Sequence, residues 1–220
     1  MKVRKIIVIF STLISYLSLS GQTEIKNGVV IDKGAIKIVN SIASQIKKDS
    51  PLSFSFTYQI EENNERQQGK GIFLGDNTKY TITTEKFSYF CNGKTVWNYI
   101  KQSNEVEIMD IEDGNSIFNF VKIINNSIKN FRPKSIRKEI FNKVHCNIVD
   151  LIPTQKGSIS KIRIYSSVNN NRLQRIEINT YSGSKYHYTF TNYITKKNVS
   201  NKDFTFDKSK FPKVKVVDLR

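Results

Sequence analysis

Apolar and polar residues alternate most strictly from 52 to 60, where Leu52, Phe54, Phe56, Tyr58 and Ile60 are separated by Ser53, Ser55, Thr57 and Gln59. A period of two over that length predicts a half-buried β-strand with an aromatic inner face. The stretch before it has another period. Ala35, Ile38, Val39, Ile42 and Ile46 recur at helical spacing, with Lys37, Asn40, Ser41 and Gln45 on the other side, so an amphipathic helix is expected. Asp32 is placed to cap its start, and Asp49-Ser50-Pro51 to stop it.

After a polar stretch, 61–68, read as a loop, strands are expected at 69–74, at 79–83, on both sides of Asn92-Gly93 within 87–99, and at 105–109. Asn-Gly between aromatic β-prone runs signals a type I′ hairpin, which needs positive φ at both central residues. Six strands joined by five turns, with no helix between them, make an antiparallel meander. A second helical stripe interrupts it within 115–130: Ile117, Phe120, Val121, Ile124 and Ile128, with Phe118 beside them. Sheet resumes at 135–141, 144–151, 161–166, 172–180 and 185–192, the last alternating Tyr186, Tyr188 and Phe190 against His187 and Thr189. Phe204, Phe206 and Phe211 follow before Pro212. No repeat or biased linker divides the chain, so one domain is expected over 22–220. Helix stripes and inner strand faces both demand burial. The fold class that satisfies both is mainly β with an α lid: an unclosed antiparallel β-barrel of about ten to eleven strands, with helices covering a hydrophobic cavity.

Residues 1–21 stand apart from this pattern. Lys2, Arg4 and Lys5 precede an apolar run at 6–19, and Ser18, Ser20 and Gly21 follow as small residues. That is the layout of a secretory signal peptide, too short and interrupted for a spanning helix; an uncleaved anchor is the alternative. No cysteine stands at the cleavage point, so lipid attachment there is not expected. The net charge of the 220-residue chain is +16, and the leader supplies three of those positives and no acid. The remaining charge permits attraction to an anionic membrane surface. The lysines are scattered, however, without a run of five or six, and an exported protein is not expected to partner nucleic acid. Cys91 and Cys146 are 55 positions apart. A bridge closing that loop would be worth about 4 kcal/mol, but each cysteine also suits a small apolar strand position, so pairing stays open.

Candidate chemistry is sparse. His145 and His187 have no neighbours at a metal-ligand spacing. Gly93-Lys94-Thr95 lacks the earlier glycine of a phosphate loop, since Ser88 stands there, and a strand follows where a helix is required. The acids Glu105, Glu107, Asp110, Glu112 and Asp113 gather around a turn, where solvated charge is the ordinary reading. No catalytic residue, metal or cofactor is expected, and an enzyme is not. What stands out is the aromatic set Phe54, Phe56, Tyr58, Phe73, Tyr80, Tyr89, Trp97 and Tyr99, either a packed core or the lining of a hollow.

An amphipathic helix, a Phe-x-Phe strand ending in Gln59, Gly69-x-Gly71-x-Phe73, Asn92-Gly93-Lys94-Thr95-Val96-Trp97-x-Tyr99 and a late Phe204-Thr-Phe206 follow in order. This order resembles the periplasmic outer-membrane lipoprotein carrier (LolA-like) family over nearly all of the chain after the leader. The resemblance implies a monomeric periplasmic chaperone. It would take acylated lipoproteins from an inner-membrane ABC-type release complex, shield their acyl chains, and deliver them to an outer-membrane acceptor. It also implies an acyl-chain cavity lined by Phe54, Phe56, Phe73, Tyr80, Tyr89, Trp97 and Tyr99, with Trp97 or Tyr99 turned inward. The implied lid draws on Ile38, Ile42, Phe118, Phe120, Val121 and Ile124. One departure is the turn 74–80, which lacks the family's Arg-Pro pair; Tyr80 stands for the aromatic that follows it and Lys79 loosely for the arginine. Two other readings are a sensing module with a filled interior and an outer-membrane barrel.

Overall fold

The computed structural model describes residues 23–26, 29–76, 78–111, 120–125 and 127–220. The leader-like segment, and with it Ile117 and Phe118, lies outside the described residues. A small hairpin of β1 (Thr23–Lys26) and β2 (Val29–Asp32) leads directly into helix α1 (Lys33–Asp49). Asp32 caps α1 as its sequence position suggested, its carboxylate accepting from the Ala35 N–H at 2.8 Å. Ser50 closes the other end, donating its N–H to the Lys47 carbonyl.

The meander follows as β3 (Leu52–Glu62), β4 (Glu65–Asp76), β5 (Lys79–Thr84), β6 (Phe87–Cys91), β7 (Thr95–Ile100) and β8 (Glu105–Asp110). Two short helices, α2 (Phe120–Asn125) and α3 (Ser127–Asn130), occupy the described part of the second helical stretch. Five strands return: β9 (Phe131–Phe141), β10 (Val144–Pro153), β11 (Ile159–Ser167), β12 (Leu173–Thr180) and β13 (Lys185–Thr195). Two 3-10 turns, Asn201–Phe204 and Lys208–Lys210, then lead to β14 (Lys215–Asp218).

Twelve of these strands form one sheet in the order β14-β8-β7-β6-β5-β4-β3-β13-β12-β11-β10-β9. Every pairing is antiparallel except β14 with β8. The sheet ends on β14 and β9 without joining them, so the barrel is open. Residues from β3 to β13 share a single core with Ala35, Val39 and Ile42 of α1 and with Phe120 and Ile124 of α2, which places the helices on the concave side. The strand count exceeds expectation because residues 215–218, too short to show a period, add an edge strand.

Two turns differ from the sequence expectation. Residues 61–68 are not a loop: β3 and β4 run on to a tight hairpin at Asn63-Asn64, both at positive φ (52° and 63°). Asparagine tolerates that region, so this pair makes the I′-type turn, and Arg66 pairs with Glu61 across it. At Asn92-Gly93 only Gly93 has positive φ (96°). The turn is centred one residue later, on Gly93-Lys94, with the Asn92 N–H donating to the Thr95 carbonyl and the Asn92 side chain accepting from the Lys94 and Thr95 N–H groups. This is the II′ pattern, glycine at the first central position.

The Gly-x-Gly strand has a packing reason. Gly69 pairs with Tyr58 and Gly71 with Phe56, and each ring lies across the glycine opposite it. A methyl group at Gly71 would stand 2.5 Å from Phe56 Cζ and 2.8 Å from the Thr83 carbonyl oxygen. The backbone cannot yield there, so Gly71→Ala is expected to destabilise the fold by about 1–3 kcal/mol, as overpacking does. A urea melt measures it; an unchanged midpoint would contradict this packing account.

Candidate functional site: a concave aromatic chamber

The chamber is built from strand parity. Odd and even residues of a strand face opposite ways, and the register carries one row across the sheet: Phe190, Phe56 and Gly71 in one line, and Phe54, Phe73, Ile82, Tyr89, Asn98 and Glu107 in another. Phe54 and Phe73 stack with centroids 4.7 Å apart, and Tyr80 stacks on Phe73 at 6.5 Å. Into this bowl α2 sends Phe120. Its ring centroid lies 4.9 Å from both Tyr188 and Phe190, 5.5 Å from Phe56, 6.1 Å from Phe54 and 6.3 Å from Phe73. Phe120 is wholly buried. It is the stopper of the chamber.

Of the residues expected to line a cavity, Phe54, Phe56, Phe73 and Tyr80 are buried together here, and Tyr89 packs against them half-buried. Trp97 and Tyr99 do not join them. They share the opposite parity with Phe90 and Ser88, and they face the convex side. There Tyr99 meets Phe206 at 5.8 Å and Phe211 at 4.4 Å, while Phe206 also touches Phe90 at 5.8 Å. Segment 201–218 thus clasps the convex face over a second aromatic core that includes buried Phe204. Lys79 belongs to this clasp too, donating to Asn201 Oδ1 at 2.7 Å; it is not placed to act on the lid. Among the expected lid residues, Ile42, Phe120 and Ile124 are buried in the chamber core and Ile38 packs beside them. Val121 lies on α2, with its side chain outside the description.

The chamber also uses residues the sequence did not assign to it. Tyr188 and Phe190 of β13 lie opposite Tyr58 and Phe56. Their alternation was visible, but the pairing of β13 with β3 spans more than a hundred residues and leaves no local signal. Val149, Leu151, Ile162, Ile164, Ile176 and Ile178 complete the aliphatic side. Burial pushes the Tyr188 phenol up from its ordinary value. Burial, and then the Glu107 carboxylate, do the same for Tyr89, so these two phenols stay neutral at neutral pH.

At one end the chamber opens to a narrow crevice. Leu52, Ile46 and Leu173 wall it and Phe54 and Phe120 floor it, while Gln45, Asp49, Asn171 and Arg172 form the mouth. Its free volume is about 10 Å³, about one water molecule. Across the mouth Arg172 donates to Asp49 Oδ2 from Nε at 3.0 Å, with Nη2 at 2.9 Å. Gln45 donates to Asp49 Oδ1 at 2.9 Å. The guanidinium lies 5.4 Å over the Tyr193 ring, whose hydroxyl donates to the Leu173 carbonyl at 2.7 Å.

The remaining candidates lie elsewhere. His187 and Arg175 share a contact of 2.9 Å on the convex side, beside Glu177, and His145 is exposed. Cys91 and Cys146 are buried and not bridged to each other, the first in the chamber core and the second in a convex cluster with Ile148 and Tyr165. Glu105 pairs with Lys215 at 2.6 Å; Glu107, by contrast, stays in the inward row beside Tyr89 and accepts from Asn98 at 2.8 Å; Glu112 and Asp113 lie outside the described residues. The apolar concave and the Ser/Thr-rich convex side of β3 invert the arrangement of a membrane-spanning barrel, which is apolar outside.

No protein-family model matches the chain, and no curated protein matches it in sequence. Solved structures do. An uncharacterized conserved protein from Thermus thermophilus aligns with a TM-score of 0.55 at 11% identity, covering 81% of this chain and 98% of that one. A putative outer membrane lipoprotein-sorting protein domain from Vibrio parahaemolyticus aligns at 0.46 and 11%, covering 78% and 96%. A LolA superfamily protein from Nitrosomonas europaea aligns at 0.43 and 9%, covering 78% and 97%. At these identities the likeness is one of fold, carried by the Thermus structure.

The two-core arrangement has a direct check. Phe206→Ala removes ring contacts to Phe90, Tyr99 and Phe211, and is expected to cost about 1 kcal/mol for a half-buried ring. It should also shift the emission of Trp97, the cross-strand partner of Phe90, to the red. An unshifted spectrum would place Trp97 outside the clasp.

Proposed function

We propose that the chamber is an acyl-chain binding site held closed by its own side chains, and that the protein carries lipid-modified cargo without catalysing a reaction. One observation supports this above others. The wall belongs to a continuous sheet, whereas the stopper, Phe120, belongs to a six-residue helix that can move without breaking a strand pairing. The magnitudes favour exchange. Withdrawing a buried phenylalanine costs about 3–5 kcal/mol, whereas burying a chain of ~14 carbons gains ~11 kcal/mol at ~0.8 kcal/mol per methylene.

The finer reading comes from the sequence resemblance. The cargo would be acylated lipoproteins, received from an inner-membrane ABC-type release complex and passed to an outer-membrane acceptor, with residues 1–21 directing export to the periplasm. The close fit around Phe120 favours one rival, a sensing module whose interior is permanently filled.

A solvatochromic fatty-acid probe separates them. The carrier reading expects binding at micromolar protein, a loss of at least tenfold for Phe56→Glu, and no loss for Phe120→Ala, which vacates the chamber. Trp97→Ala should leave affinity within twofold, since Trp97 lies on the convex face. Absence of probe binding by a folded wild-type protein would falsify the acyl reading. For the cargo itself, added protein should bring lipoproteins into solution from spheroplasts.

A further inference from the structure

The crevice mouth holds an arrangement that an apolar chamber does not need. Asp49 is the last residue of α1, where the unpaired carbonyls of the helix end disfavour a carboxylate. It is nevertheless buried, with a relative exposure of 8%. The Arg172 fork and Gln45 hold it there. Arg172 is fixed in turn by the Tyr193 ring beneath its guanidinium. From this polar mouth the walls become aliphatic at Ile46, Leu52 and Leu173, and the path ends on Phe54 and the Phe120 stopper. A charged mouth, an apolar shaft and a displaceable floor, in that order, match an amphiphile that enters chain first.

We propose that Arg172 is the head-group residue of this site, exchanging the Asp49 carboxylate for the carbonyl oxygens of an acyl ligand whose chain displaces Phe120. This rests on the acyl-chain reading of the chamber and adds the chemistry of the ligand's head: an acyl carbonyl, as in a carboxylate or an ester. A guanidinium presents five N–H donors in a planar fork suited to paired oxygens, and Asp49 engages only Nε and Nη2. The side chain of Arg172 is 31% exposed, so a head group at the surface can reach it. Lys47 and Lys48 in the last turn of α1 add positive charge beside the mouth, which compensates Asp49 once Arg172 turns to the ligand. The exchange also explains coupling. Releasing Asp49 releases the end of α1, the helix that packs on α2 and so on the stopper.

The test is calorimetric titration of the full protein with three ligands of equal chain length: laurate, monolaurin and dodecanol, the last without a carbonyl. Arg172→Gln is expected to weaken laurate and monolaurin at least tenfold and leave dodecanol within twofold. Arg172→Lys keeps a charge for Asp49 and should show the same ranking, which guards against a folding defect in the glutamine variant; thermal melts check both. Asp49→Asn removes the competing carboxylate and should tighten laurate several-fold. Equal losses for all three ligands would make Arg172 a structural clamp and overturn the proposal, as would no change for any. If folded wild-type protein binds none of the three, the acyl reading itself fails and takes this one with it. Binding of all three with no discrimination by the variants sinks only the head-group assignment.

Discussion

The rings of Tyr58 and Phe56 lie across Gly69 and Gly71, and the rest of the molecule depends on that fit. A strand pair with side chains on both concave rows would hold its neighbours apart. With hydrogen in place of Cβ on β4, the rings of β3 can lie flat against the backbone opposite, and the sheet can bend tightly at its centre. The bend brings β13 and the strands beyond it around to face β5–β7. It is also what gives α1 and α2 a concave surface to cover. Replace the glycines, and the aromatic residues that now line one chamber would have to stand up from an opened sheet.

The curved sheet has two sides, and the protein builds a core on each. The concave core is large, aromatic and aliphatic, and stoppered by Phe120. The convex core is smaller and lies over β5–β8, under the segment that carries Phe204, Phe206 and Phe211. An aromatic residue in the β6–β7 hairpin therefore has two apolar destinations. Parity decides between them: Tyr89 and Cys91 go inward, Phe90, Trp97 and Tyr99 outward.

Alternation made β3 and most of the meander legible, and helical spacing with Asp32 made α1 so. The local signals run out where partners are distant. Nothing near 90 or 99 announces that Phe206 and Phe211 will return to meet them, and an aromatic strand residue read alone is assigned to the only core in view. The same distance hid Tyr188 and Phe190, whose alternation matches that of β3 but whose pairing with it is set by the whole circuit of the sheet. Arg172 was hidden for a different reason. At the start of a strand an arginine is unremarkable until Asp49 is brought to it from the end of a helix 123 residues away. Turn chemistry was half legible: Asn-Gly marked a hairpin, but the carboxamide of Asn92 bound the N–H groups of the turn and moved its centre on by one residue.

The parallel pairing of β14 with β8 bears on how the molecule is made. β8 is complete by residue 110, yet the strand that covers its edge begins only at Lys215, which reaches back to Glu105. Through the synthesis of all the intervening sheet, β8 presents unpaired N–H and C=O groups beside an uncovered patch of Phe90, Trp97 and Tyr99. Such an edge is a template for the wrong strand. A long-range closure of this kind is also slow to find. The newly made protein therefore has two vulnerable surfaces in succession, and the clasp protects the one that the lid cannot reach.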